Sequence, residues 1–186
     1  MPRPEAATLS SGERTIVPVA LSGPVLTESD ITYLLEVPKL VDDPDWRSAL
    51  LPMRTEDYGL RARLDLPDLP STGPVRGRLL VYTRQNLNPN VGGDWSTGFI
   101  YTSYADDRYP VIRCNGPHPS DHTNRIERNK IVRTPHVHRL TERYQRLRPP
   151  KSDGFAEETT VYVTIEEALE HLAETINLQV IGALFR

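Results

Sequence analysis

Apolar positions along the chain change period twice, from helical spacing to alternation and back. Ile31, Leu34 and Leu35 recur at i, i+3 and i+4 directly after Thr27, Glu28, Ser29 and Asp30, a Ser/Thr-x-x-acid start signal. That spacing predicts a short amphipathic helix ending near Pro38. Asp42 to Asp45 reads as a turn, and Trp46 to Met53 as irregular chain or a helical turn. The middle of the chain alternates in short runs separated by Gly, Pro and Asn clusters: Leu60–Leu66, Arg76–Arg84, Ser96–Ser103, Pro110–Cys114 and His136–Glu142. This is the pattern of an antiparallel meander. Gln85 to Asp94 is a loop by its Asn and Gly content, and a polar loop of about twenty residues precedes His136, long for a plain connection. A sixth strand is predicted over Thr159–Val163. Behind it Thr164 to Glu167 form a capping box, and Ile165, Ala168, Leu169, Leu172 and Ile176 make one apolar helical stripe. His171 falls on the polar side of that helix and is given no functional role. The expected fold is α+β: a mostly antiparallel sheet of five to six strands with an N-terminal and a C-terminal helix packed on it.

Composition adds bounds rather than identity. At 186 residues the chain is the length of one domain. Residues 1–15, polar and without periodicity, are predicted as a flexible N-terminal tail ahead of a single domain over 16–186. No apolar run reaches the length of a membrane span, and the N-terminus lacks the apolar core of a signal peptide, so the expectation is a cytoplasmic protein with no membrane partner. The single cysteine, Cys114, excludes an internal disulfide and any Cys-based zinc finger, and its place beside Ile112 in an extended run reads as a small buried hydrophobe.

Charge is unevenly spread. From Arg108 to Lys151 there are eleven Lys and Arg against three acids, although the whole chain carries −3. The same stretch holds four of the five histidines: His118, His122, His136 and His138. A basic segment that also contains most of the groups titrating near neutrality is where function is expected.

The Thr-Glu-x-Asp helix start, the run Arg113-Cys114-Asn115-Gly116-Pro117-His118, the His122-x-Asn124 loop and the segment from Pro135 to Tyr144, followed by a final helix, together resemble a family of small bacterial and phage-borne proteins. That family is known as a domain of unknown function, with a His-Thr-Asn loop and a His-x-His motif. The resemblance spans roughly residues 25–180. It implies a mobile-element setting, hence a role in phage defence or a toxin-antitoxin system, and it supplies no established activity.

Three readings of the histidines follow from the residues. In a strand, i and i+2 face the same way, so His136 and His138 present two imidazoles side by side, and Arg113 would join them if its strand is the neighbour. The leading reading is metal-independent RNA cleavage without a cofactor: His136 and His138 as base and acid, with Arg113 on the developing phosphate charge. His118, His122, Asn124, Arg125, Arg128, Lys130, Arg133, Arg139 and Tyr144 would then bind the RNA or another polyanion. The second reading is a binding protein, such as an antitoxin, adaptor or inhibitor, docking an acidic protein partner through the basic His-rich loop. The third is a metal site at His136, His138 and Glu142, whose spacing suits Zn, Fe or Ni. Asp121 reads as a turn residue, and Arg146, Arg148 and Lys151, beside two prolines, as linker charge.

Overall fold

A computed structural model describes residues 23–51, 54–56, 59–86, 94–118, 120–131, 133–147 and 154–181. The expected tail lies outside the described residues, as do Arg148 and Lys151. Helix α1 (Glu28–Glu36) begins at Thr27, whose hydroxyl accepts from the Asp30 N–H while the Asp30 carboxylate accepts from the Thr27 N–H. The helix ends where Val37 and Pro38 leave helical conformation, and β1 (Lys39–Val41) follows. A single 3-10 turn covers Trp46–Ala49. The sheet strands then come in order: β2 (Arg54–Glu56), β3 (Gly59–Leu66), β4 (Gly77–Asn86), β5 (Trp95–Ser103) and β6 (Arg108–Asn115). The long polar loop proves to contain a hairpin of its own, β7 (His122–Asn124) and β8 (Asn129–Ile131), before β9 (His136–Arg139). Helix α2 (Glu142–Gln145), β10 (Phe155–Glu158), helix α3 (Ile165–Thr175) and β11 (Leu178–Val180) follow among the described residues.

Seven strands form one antiparallel sheet in the order β10-β9-β6-β5-β4-β3-β2, and β11 pairs with β1 in parallel beside it. The α+β class and the antiparallel sheet are as the pattern predicts, with one strand more than the expected range. Helix α3 packs across β5 and β6, burying Ile165, Ala168, Leu169 and Leu172 against Phe99, Ile112 and Cys114 in a core that also takes Ile31 and Leu34 of α1. None of the described helices is long and apolar enough to cross a membrane.

Two predicted strands differ from the sequence pattern by more than two residues. The predicted strand Thr159–Val163 is irregular. The paired segment is Phe155–Glu158, and Val161 and Val163 are exposed on either side of a buried Tyr162 whose hydroxyl donates to the His136 carbonyl. The alternation was real, but it marks one inward tyrosine rather than a strand. The predicted strand His136–Glu142 stops at Arg139, because the Thr141 hydroxyl caps the Tyr144 N–H and starts α2.

Candidate functional site

Antiparallel register puts directly opposed residues on the same face of a sheet. One row across the strands reads Arg84, Ser96, Asn115, His136, Glu158, and the next reads Tyr82, Gly98, Arg113, His138, Ala156. The side chains that alternate with these rows, such as Phe99, Ile112, Cys114 and Val137, belong to the core that α3 covers. The sheet therefore has an apolar face and a polar face, and three candidate groups, Arg113, His136 and His138, stand on neighbouring strands of the polar one. Gly98 is needed there: a Cβ at that position would come within 2.7 Å of the Tyr82 ring.

The β7–β8 hairpin lies over the β9–β10 end of this polar face. Asn124 fixes it in place: its Nδ2 donates to the Ala156 carbonyl at 2.7 Å, and its Oδ1 accepts from the Ala156 N–H at 2.9 Å. One side chain thereby pairs with both outward backbone groups of a residue on the sheet's edge strand. Those two bonds settle the orientation of the carboxamide, so His122 Nε2, 3.1 Å from Asn124 Oδ1, is the donor. Ile131 is buried from the other strand of the hairpin.

Under this cover the four histidines gather. Ring centroids of His122 and His138 are 4.5 Å apart, those of His136 and His138 4.9 Å, and those of His118 and His136 5.0 Å. His136 and His138 are 2% and 5% exposed, and His118 is half-buried. His136 Nδ1 donates to the Thr134 carbonyl at 2.7 Å, which leaves Nε2 of the neutral ring as a lone pair. Two groups compete for it, His138 Nε2 at 3.1 Å and Asn115 Nδ2 at 3.2 Å. The other end of the same carboxamide, Asn115 Oδ1, is buried with no hydrogen-bond partner, although Asn115 is only 2% exposed. Burial pushes the His136 imidazole below its ordinary range, against the pull of the Thr134 carbonyl, with His118 and Arg113 adding to the depression. His118 is lowered by the same desolvation, partly opposed by Asp94 and reinforced by Arg113 and Arg84.

The residues singled out from the sequence divide sharply. Arg113, His136 and His138 are brought together as expected, with Arg113 directly opposite His138. The pair is nevertheless built differently from an acid and a base flanking a phosphate. In-line displacement needs its two proton carriers on opposite sides of phosphorus, whereas these nitrogens lie 3.1 Å apart and bond each other. His122 and Asn124, read as substrate-binding, are buried and bonded within the hairpin. Tyr144, expected to stack on a base, is fully buried and donates to Glu127. Arg139 points to the other face from its neighbours His136 and His138. Arg143 engages Glu127 and lies over the Tyr144 and Phe155 rings. Glu142, the carboxylate of the metal alternative, turns away with α2: it accepts from Arg146 and from the Glu28 N–H. Among the described residues no three His, Cys, Asp or Glu groups converge as a metal set. The exposed basic residues on or beside the hairpin are Arg125, Arg128, Lys130 and Arg133. Lys130 stands 3.8 Å from Asp121, and the other three make no ion pair among the described residues.

Sequence reasoning gives no role to three residues that the register brings to the cluster: Asn115, which shares a strand face with Arg113, and Ser96 and Arg84. Spacing along one strand does not assemble them, since only the pairing of β4, β5, β6 and β9 places them in one row. Comparison with known proteins adds no residue role, as no family model, curated protein or solved structure matches the chain.

Proposed function

We propose that this protein binds nucleic acid, with the β7–β8 hairpin as its interface and the phosphate backbone as the feature it holds. The observation that carries this reading is the set of exposed arginines Arg125, Arg128 and Arg133, unpaired with described carboxylates, on or beside a hairpin that Asn124, His122 and Ile131 lock to the sheet. A rigid carrier matters because a cation held in place loses less freedom on binding than one on a loose loop. Contact with an acidic protein is the second reading. It is less well supported because protein interfaces centre on an apolar patch, and the one large hydrophobe exposed on the hairpin among the described residues is Ile126. With Tyr144 buried, no exposed aromatic ring stands on the hairpin among the described residues, so the binding is to backbone and is insensitive to sequence.

Fluorescence anisotropy of a labelled single-stranded oligonucleotide across a salt series tests the proposal. Four cations on four phosphates give a log–log salt slope of about −3, and Arg125→Ala should flatten it by about 0.7. Absence of binding at low salt, or equal binding by the Arg125→Ala/Lys130→Ala double variant, would overturn it. Binding of an acidic polypeptide in place of the oligonucleotide would select the second reading.

A further inference from the structure

We propose that His136, His138 and Asn115 form a site for one divalent ion of the borderline-soft class, zinc, cobalt or nickel, on the polar face of the sheet. It is independent of nucleic-acid binding by the hairpin. Three observations point to it. The first is distance: His136 Nε2 and His138 Nε2 are 3.1 Å apart. Two imidazole nitrogens bound at about 2.0–2.1 Å to one ion are separated by about 2.9–3.4 Å for ligand angles between roughly 95° and 110°. The second is the outer bond. His136 Nδ1–H is held by the Thr134 carbonyl at 2.7 Å, the arrangement that fixes a ring so that Nε2 presents its lone pair to a metal.

The third is an unresolved hydrogen-bond account around Asn115. In the ion-free arrangement two donors, His138 Nε2–H and Asn115 Nδ2–H, meet one lone pair on His136, and the buried Asn115 Oδ1 meets none. A half-turn of the carboxamide brings Oδ1 to the His136 side, and a shift of the His138 proton to its other nitrogen frees its Nε2. Asn115 Oδ1, His136 Nε2 and His138 Nε2 then each present a lone pair beside His136. No net proton leaves and no residue moves along the backbone. An ion between them takes all three lone pairs, whereas without it they would repel. The ligand types set the metal class, since two neutral imidazoles and an amide oxygen suit zinc-like ions over magnesium or calcium. Nearby formal charges are mixed, with Arg113 and Arg84 on one side of the account and Asp94 and Glu158 on the other. His118, half-buried and edge-on to His136, is the member of the cluster that solvent reaches.

The test is titration of the tag-free, chelator-treated chain with Co2+, read by visible absorption, and with Zn2+, read by calorimetry and by elemental analysis after dialysis. One ion per chain is expected. His136→Ala and His138→Ala should each weaken it at least about tenfold. Asn115→Asp, which keeps the shape and adds a charged oxygen, should tighten it, while His171→Ala should leave it unchanged. If either histidine variant fails to fold, imidazole NMR of the unaltered chain decides: Zn2+ should shift His136 and His138 and leave His171 in place. Failure of the unaltered chain to take up either ion at millimolar concentration, shifts confined to His118 and His171, or wild-type affinity in Asn115→Asp and His138→Ala together would overturn the proposal.

Discussion

Asn124→Ala should cost this protein a large part of its stability, through the loss of the side chain that hydrogen-bonds the hairpin to the backbone of the sheet's edge strand. Asn124 is fully buried and makes three hydrogen bonds, two to the backbone of Ala156 and one from His122. Truncation leaves the Ala156 N–H, the Ala156 carbonyl and the His122 Nε2–H to find other partners. A buried polar group left without one costs about 1–3 kcal/mol, and one that recovers water costs about 0.5–1.5 kcal/mol. A groove of about 380 Å³ beside β10, lined by Asn129, Lys130, Ile131 and Phe155 to Glu158, brings water near the Ala156 groups. His122 has no such access, being 8% exposed. Two groups at the solvated figure and one at the unsatisfied figure give about 2–6 kcal/mol, set against a domain stability of about 5–15 kcal/mol. Urea unfolding of Asn124→Ala beside Asn129→Ala, its exposed partner across the hairpin, measures the difference; the Asn129 variant should stay within about 0.5 kcal/mol of the parent. Amide exchange at Ala156 should accelerate in the Asn124 variant alone. A loss below about 1 kcal/mol, less than any one of these groups would cost if left unsatisfied, with Ala156 still protected, would refute the claim that Asn124 is the lock.

Two further predictions rest on other parts of the chain. Arg128 adopts φ 60° in the hairpin turn, where its N–H donates to the Asn124 carbonyl. An L-residue pays about 1–2 kcal/mol in that region and Asn visits it readily, so Arg128→Asn should raise the urea midpoint while removing one phosphate contact from the salt slope; a lowered midpoint would count against the assigned turn. Lys39 is 2% exposed, with its ammonium donating to the Leu34 and Leu35 carbonyls, and burial pushes its pKa from 10.5 down to about 7. Between those two values the unfolded chain holds a proton that the folded chain has shed, so this group's contribution to stability rises with pH across that window. The difference in unfolding free energy between the parent and Lys39→Met should therefore change steadily from pH about 7 upward, and a difference that is flat with pH would show that Lys39 stays charged when folded.

How much of this was legible in the sequence depends on whether a signal is local. Both long helices were, because a capping box and a 3.6-residue stripe are complete within one segment: Thr27 with Asp30, and Thr164 with Glu167. The strands from Leu60 to Cys114 were legible by alternation. The error at Thr159–Val163 has the same source as those successes, since alternation reports only that Tyr162 is buried between exposed valines. Pairing register was not legible, and it decides the site. That His136 and His138 share a face follows from one strand, but that Asn115 and Arg113 oppose them depends on β6 being their neighbour at one particular offset.

The surface charge shows the converse limit. Eleven basic residues between Arg108 and Lys151 read as one patch only while the chain is a line. Folded, Arg108 starts β6 at the end away from the histidines, Arg146 bonds Glu142, Arg143 bonds Glu127, and Arg139 faces the other side of the sheet. The polar residues beside them are also spent on architecture. Gln145 clasps the backbone of Leu26, with Oε1 accepting its N–H and Nε2 donating to its carbonyl, as Asn124 clasps Ala156. Both carboxamides are buried and bonded at both ends, and neither is available to a ligand. Asn115 differs from them in the respect that matters: it is as buried as they are, yet one end of its amide is crowded at a histidine and the other has no partner. A fold that satisfies two buried carboxamides completely and leaves the third incomplete beside two imidazoles has, at that third position, the chemistry of a site rather than of a joint.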